Sequence, residues 1–164
     1  LIDAMDVVDP RFSLDFFLVG STAYLTELKA RAAESRGTIT FNEAVGVREL
    51  ARTINAFDAE LIFFPPLTEN LRLALPNKFF EAIQGRIAVV AGDSPEMARV
   101  IREAGNGIVA QGWTALDLAA AINTLTPETV ESMKAASDKL AHEMNAEHER
   151  DVLFAALEIV PEAR

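Results

Sequence analysis

The feature that most constrains the fold of this chain is a regular alternation of short apolar runs and helical stretches. Five runs have the length and the residue content of buried strands, at 14–20, 38–45, 59–66, 86–94 and 106–113. Stretches with helical spacing of their apolar residues lie between and after them, at 22–37, 47–58, 76–86, 94–105 and 114–125. Such alternation predicts an α/β fold with a parallel sheet of about five strands and helices on both faces. We therefore expect a single Rossmann-like domain over residues 1–164, with a helical tail over 132–164.

Several helix starts are marked by capping residues. Ser94 followed by Pro95 is typical of an N-cap with proline in the first turn, and Thr126 followed by Pro127 repeats that design. Thr114 is a third predicted N-cap. Gly105 is expected to end the helix that starts after Ser94.

Composition excludes several classes of function. The chain has 164 residues and a net charge of −10, and its lysines and arginines are scattered, so a nucleic-acid partner is not expected. It has no cysteine, which excludes disulfides and thiolate chemistry and fits a cytoplasmic location. No apolar run approaches the roughly 20 residues of a transmembrane helix, and the acidic first residues are unlike a signal peptide.

The beginning and the last segment of the sequence each support a prediction. The sequence does not begin with Met and opens in what reads as the middle of a helix, so we expect it to be part of a longer protein. The segment 151–160 reads as an apolar helix. It either packs on its own domain or exposes apolar surface, and exposed surface would favour a homodimer through this helix.

The stretch 74–85, ALPNKFFEAIQG, combines a core helix with charged residues. On a helical wheel its phenylalanines, Ala82 and Ile83 cover one side, while Asn77 and Glu81 share the other with Lys78 at its edge. A solvated polar face is the plain interpretation, and periodicity alone favours it. The alternative is a binding site, because a helix start beside a lysine attracts phosphate and a carboxylate one turn later can accept two ribose hydroxyls.

The ordered set of motifs resembles a known family. Residues 73–123, LALPNKFFEAIQGRIAVVAGDSPEMARVIREAGNGIVAQGWTALDLAAAIN, with FFLVGS and ITFNEAV before them, are similar to the carboxy-terminal domain of GT-B fold glycosyltransferases of the family 4, or group 1, type. The resemblance runs from about residue 14 to residue 125. It implies a domain that binds a nucleotide-diphosphate sugar as the donor substrate, with no separate cofactor and no metal, and a parent enzyme that transfers the sugar with retention.

The same resemblance assigns roles to individual residues. It implies that Glu81 binds the donor ribose and that Asn77 and Lys78 lie near the diphosphate. Gly20 and Ser21, at the end of the first strand, would lie near the phosphates. Ala44 and Val45, after the second strand, would flank the base. The loop that contains Thr68, Glu69 and Asn70 would approach the donor sugar.

The sequence also departs from the family pattern. Many members have a second glutamate eight positions before the ribose glutamate, where this chain has Leu73, so that role is missing or has moved to Glu69. Gly20-Ser21-Thr22 replaces a Gly-x-Gly turn. We expect the amino-terminal acceptor domain of the family to be absent from this sequence, which also starts too late to contain securely the Arg and the Lys that precede the first strand in the family.

Other interpretations remain open at this level. The chain could be half of a sugar-nucleotide 2-epimerase, or an α/β interaction or regulatory domain without catalysis, because fold alone does not determine function. The stretch 142–148, HEMNAEH, is not a zinc motif, since position 146 is Ala and the two histidines fall on different helix faces. A solvated helix is the expected structure there.

Overall fold

The strands of this computed structural model, which describes residues 1–157, lie where the sequence predicts them but are shorter. Their bounds are Ser13–Phe17 (β1), Thr38–Asn42 (β2), Ala59–Ile62 (β3), Ala88–Ala91 (β4) and Gly107–Val109 (β5). The runs after β1, β2 and β3 leave the sheet early, so the predicted site residues that follow these strands lie in loops or at helix starts.

Helices fill the intervals between the strands. Their bounds are Ile2–Met5 (α1), Thr22–Glu34 (α2), Val47–Ile54 (α3), Glu69–Leu73 (α4), Asn77–Gln84 (α5), Pro95–Ala104 (α6), Ala115–Asn123 (α7), Pro127–Ala141 (α8) and Ala146–Ala156 (α9). The alternation of strand and helix is therefore as predicted, with α4 as an additional short helix in the loop before α5.

All strand pairs are parallel, which confirms the α/β fold class. The strands do not form one continuous ladder, however. β1 pairs with β2 in a two-stranded sheet, and β3, β4 and β5 form a three-stranded sheet in that order. The two sheets meet through side chains rather than backbone hydrogen bonds, and the rings of Phe17 and Phe57 lie edge to face with centroids 5.6 Å apart.

Two apolar cores cover the two faces of the strands. On one face, α5 and α6 supply Phe79, Ala82, Ile83 and Met97, which pack with Ile62 of β3. On the other face, α1 and α7 pack on strands of both sheets, including Leu14 of β1 and Val90 of β4. This second core joins the two sheets, and burial of its apolar surface replaces the missing backbone ladder as the force that holds them together.

Capping explains where the later helices begin. Thr114 accepts a hydrogen bond from the N–H of Asp117 (3.2 Å), and the Asp117 carboxylate accepts one from the N–H of Thr114 (2.9 Å), which is a complete capping box. Thr126 begins α8 in the same way with Thr129. Ser94 is the N-cap of α6, but its hydroxyl donates to the carbonyl of Arg72 (2.7 Å) and so ties α4 to α6.

The end of α6 confirms the expected glycine stop. Gly105 has a φ of 71°, in the left-handed region, and its N–H donates to the carbonyl of Ile101. This backbone conformation is strained for a residue with a Cβ, so glycine is the natural choice here.

The helical tail is interrupted. α8 ends at Ala141, and α9 begins only after Asn145, whose side chain accepts a hydrogen bond from the N–H of His148 (2.8 Å). The prediction of continuous helix through HEMNAEH was therefore wrong, because Asn145 acts as a new N-cap. Residues 158–160 of the predicted apolar helix lie outside the described residues.

The apolar side chains of α9 are largely exposed. Val152, Leu153 and Leu157 are each more than half accessible to solvent. A homodimer through this helix stays a prediction. Within residues 1–157, no helix has both the length and the apolar character needed to cross a membrane.

Buried hydrogen bonds connect α8 to the residues that precede β4 and β5 of the three-stranded sheet. The Ser137 hydroxyl donates to the carbonyl of Ile87 (2.7 Å) and accepts from the Asn106 side-chain amide (3.3 Å). Ser137→Ala leaves both groups buried without this partner, so we expect it to lower the free energy of unfolding by about 1–3 kcal/mol. Urea denaturation measures the change, and Ser132→Ala, at an exposed position of the same helix, should leave the midpoint unchanged. Equal midpoints for the two variants would show that these buried hydrogen bonds contribute nothing to the free energy of unfolding.

Candidate functional site

A cavity separates the two sheets. Its volume is about 670 Å³, and residues of β1 and β3, one strand from each sheet, line its walls. Residues of α3, α5, α7 and the first half of α8 line it as well. A cavity of this size is in the range of small-molecule binding sites in proteins.

Lys78 and Glu81 of α5 both line this cavity. Phe79, Ala82 and Ile83 are completely buried in the first core, and this burial fixes the rotation of the helix. Because residues three apart share a helix face, Lys78 and Glu81 then project on the same side. That these two residues act together in binding stays a prediction.

Lys78 is not a free cation in this structure. Its Nζ donates to Oε1 of Glu60 on β3, at 3.2 Å. The Glu60 side chain is 22% exposed and that of Lys78 is 57% exposed, so the pair sits at the boundary between the cavity wall and solvent. Alternation along β3 explains the geometry, because Glu60 lies two residues before the core residue Ile62 and so points to the α5 side of the strand.

Glu60 has an unusual electrostatic environment. Burial raises the pKa of its carboxyl above the ordinary value, because a carboxylate loses hydration there. The Lys78 ammonium opposes this shift through charge and hydrogen bonding, and the nearby Glu81 carboxylate adds to it. The three side chains therefore form one electrostatic unit, which we call the Glu60–Lys78–Glu81 cluster.

Further charged groups line the same cavity. Lys134 of α8 reaches across to donate to the carbonyl of Phe57 (2.7 Å), which holds the turn that precedes β3. Asp15 of β1 accepts a hydrogen bond from the side-chain amide of Asn42 (2.9 Å) in the neighbouring strand. These contacts are structural, since each one ties two segments of backbone together.

Four predicted residues lie in the turns that follow β1 and β2. Gly20 and Ser21 are exposed, and Ser21 is the N-cap of α2, accepting from the N–H of Tyr24 (3.4 Å). Ala44 and Val45 lie between β2 and α3. Within the described chain, none of these four lines the cavity.

The predicted sugar loop is built around α4. Thr68 is the N-cap of this helix and accepts from the N–H of Leu71 (3.2 Å), and Glu69 pairs with Arg72 (2.8 Å). Asn70 is exposed, as is Asn77, the first residue of α5. The Arg72 guanidinium lowers the pKa of the Glu69 carboxyl through hydrogen bonding and charge. A role of these residues in binding a donor sugar stays a prediction.

Sequence reasoning missed Glu60 and Lys134. Glu60 is the one charged residue in the run AELIFFPP, 59–66, which the sequence analysis treated only as a strand. A charge inside an otherwise apolar strand needs a partner, because an unpaired buried carboxylate is costly. That signal was available, but the identity of the partner, 18 residues away in the chain, was not.

The single tryptophan lies near the carboxyl ends of three strands. The Trp113 ring packs on Phe63, with centroids 5.3 Å apart, and rests directly against Gly92. Phe63 and Gly92 immediately follow β3 and β4, and Trp113 follows β5 by four residues. Trp113 therefore packs at the ends of the strands, and any side chain at position 92 would overlap its ring.

Comparison with protein families agrees with these observations. A family described as "Glycosyl transferases group 1" matches residues 1–127. The chain belongs to this family. Among curated proteins, no match to the chain was found.

The extent of the match bears on the site. Residues 1–127 contain all five strands and the complete Glu60–Lys78–Glu81 cluster, while nearly all of α8 and all of α9 lie beyond them. Glycosyl transfer is the chemistry of the group 1 family, so a sugar donor is the ligand class that the family implies. The resemblance drawn from the sequence motifs is thereby confirmed at the level of the family.

Proposed function

We propose that this chain is the donor-binding half of a retaining group 1 glycosyltransferase and that it binds a nucleotide-diphosphate sugar. The observation that carries the proposal is the placement of Lys78 and Glu81 side by side on the wall of one cavity, within the part of the chain that matches the family. A cation and a carboxylate on adjacent turns suit the two polar parts of a nucleoside diphosphate.

The diphosphate end of the donor fits the start of α5. Pro76 precedes the helix, and the first N–H groups of an α-helix lack partners within it, so they can bind an anion. Asn77 and Lys78 occupy this first turn, and Lys78 adds a full positive charge to the helix dipole. As the glycosidic bond to the donor breaks, these groups would stabilise the charge that develops on the departing diphosphate.

The ribose of the donor would lie beside Glu81. A carboxylate can accept hydrogen bonds from two neighbouring hydroxyl groups, and it lies one turn beyond the phosphate-binding groups on the same helix face. The loop residues complete the proposal: Gly20 and Ser21 next to the phosphates, Ala44 and Val45 beside the base, and Thr68, Glu69 and Asn70 towards the sugar. Each of these lies after a strand, where ligands of open α/β sheets bind.

The remaining chemistry belongs to a second domain in this proposal. Retaining transfer proceeds through a transition state with oxocarbenium character, and this chain supplies the electrostatic stabilisation of the leaving group rather than a nucleophile or base. The acceptor would be bound by an amino-terminal domain that precedes residue 1 in a longer protein. Cytoplasmic location, read from the lack of cysteine, is part of the same proposal.

A thermal shift experiment tests the proposal directly. We expect at least one of UDP-glucose, GDP-mannose and ADP-glucose to raise the melting temperature of the 164-residue chain, because a ligand that binds only the native state stabilises it. The free sugars glucose and mannose serve as controls and should have no effect. If UDP, GDP and ADP also leave the melting curve unchanged at millimolar concentration, the chain is not a donor-binding domain.

A further inference from the structure

We propose that Glu60 is a positioning residue that releases Lys78 to the donor diphosphate and takes up a proton from solvent as it does so. The inference rests on the proposed function, since it concerns how the same site changes when a nucleoside diphosphate binds. It starts from one geometric fact: the cation that a diphosphate needs is already engaged, with Lys78 Nζ at 3.2 Å from Oε1 of Glu60.

The exchange follows from competition for one ammonium group. A diphosphate carries more charge than a carboxylate, so Lys78 moves its hydrogen bond from Glu60 to the ligand. Lys78 stays protonated throughout. The hydrogen bond between Lys78 and Glu60 breaks, and a new one forms between Lys78 and a phosphate oxygen.

Once Lys78 has moved, the surroundings of Glu60 disfavour its ionised form. Its side chain is about four-fifths buried and Glu81 faces it from α5. Without Lys78, desolvation and the repulsion from Glu81 act on Glu60 unopposed, and the ligand adds further negative charge. The neutral, protonated carboxyl is the favoured form in such surroundings.

The other charges around the cavity do not replace Lys78. The charged side chains that line it besides the cluster are Arg11, Asp15, Asp58, Glu131 and Lys134. Arg11 donates to the carbonyls of Asn123 and Leu125, and Lys134 donates to the carbonyl of Phe57, so both cations are already engaged. The three acids carry no positive charge and so cannot take the place of the Lys78 ammonium.

The protonation of Glu60 makes the affinity for the nucleoside diphosphate depend on pH. The pKa of the Glu60 carboxyl rises when Lys78 leaves, so binding is accompanied by proton uptake in the pH range between the two values. Affinity for the nucleoside diphosphate therefore falls as pH rises through that range. At pH values above both, Glu60 stays ionised, competes with the ligand for Lys78, and weakens binding.

Isothermal titration calorimetry tests the exchange. The 164-residue chain and its Glu60→Gln variant are titrated with UDP, GDP and ADP, between about pH 5 and about pH 8, in pairs of buffers that differ in ionisation enthalpy. The buffer pair gives the number of protons taken up per ligand bound. Comparing the two proteins at one pH cancels the protonation of the ligand itself.

The expected result is a difference between the two proteins. The wild-type chain should take up a larger fraction of a proton than Glu60→Gln, and its affinity should fall more steeply with pH. At about pH 8 Glu60→Gln should bind roughly threefold to tenfold more tightly, because glutamine does not compete for Lys78 as a charge. Glu131→Gln, which removes another carboxylate of the cavity wall, should behave as wild type.

Two outcomes would overturn the inference. Equal proton uptake by wild type and Glu60→Gln, with measurable binding by both, would show that Lys78 binds the ligand without releasing a protonatable Glu60, and the donor-site proposal would stand. The absence of binding by either protein at every pH would overturn the donor-site proposal and this inference with it. A purely structural role of Glu60 would lower stability without changing the number of protons exchanged.

Discussion

Glu81→Ala is expected to weaken the binding of the preferred nucleoside diphosphate by about tenfold to a hundredfold. The physical reason is the loss of the proposed hydrogen bonds between the carboxylate and the ribose hydroxyls, since a hydrogen bond to a charged group contributes about 1.5–3 kcal/mol and each 1.4 kcal/mol is a factor of ten in affinity. Glu81 is not part of either apolar core, so the variant should fold with near wild-type stability. Calorimetry or a thermal shift titration with UDP, GDP and ADP measures the effect.

A modified ligand makes this test specific to the ribose. The 2′,3′-dideoxy form of the same nucleoside diphosphate lacks the hydroxyl groups that Glu81 is proposed to bind. The wild-type chain should therefore prefer the ribose form by a similar factor, and Glu81→Ala should bind both forms about equally. If Glu81→Ala retains the full preference for ribose, other residues bind the hydroxyl groups and the proposed role of Glu81 in ribose binding is wrong.

Phe79→Ala is expected to lower the free energy of unfolding by about 3–5 kcal/mol. The ring is completely buried in the first core, where it packs with residues of α5, β3 and α6, and its removal leaves a cavity that the surrounding strands cannot fill. Because this loss approaches the whole stability of many domains of this size, Phe79→Leu provides a milder variant with an expected loss of less than about 2 kcal/mol. Urea denaturation curves with equal slopes give the difference.

The neighbouring phenylalanine is the matched control. Phe80 contacts Phe79 edge to face, with centroids 5.8 Å apart, but it is only half-buried. Phe80→Ala should therefore cost clearly less than Phe79→Ala. Equal losses for the two variants would mean that the rotation of α5 described by the structure is incorrect, and the placement of Lys78 and Glu81 on the cavity wall would be incorrect as well.

Local chemistry in the sequence was enough to predict the order of the elements and many of their ends. Thr114 and Thr126 begin helices because a hydroxyl followed three residues later by Asp117 or Thr129 completes a capping box within four residues. The amphipathic pattern of α5 was equally local, and it predicted which side of the helix is buried. These features depend on neighbours in sequence, so one sequence contains the information.

The features that could not be predicted depend on residues distant in sequence. Nothing near β1 or β3 shows that their facing edges stay apart, because strand pairing is decided by packing across the whole domain. The partner of Lys78 was unpredictable for the same reason, since Glu60 reaches it only after β3 and α5 pack together. The break before α9 is a different case, because Asn145 is a recognisable N-cap that the sequence analysis overlooked.

The position of Trp113 gives the protein an intrinsic optical probe. The chain contains a single tryptophan, so emission excited at the red edge of indole absorption arises from one ring. That ring rests on Phe63 and Gly92, directly after two strands of the three-stranded sheet. Its fluorescence therefore reports the polarity and rigidity at the carboxyl ends of the strands without any added label, and titrations at that edge can be followed on the unmodified polypeptide.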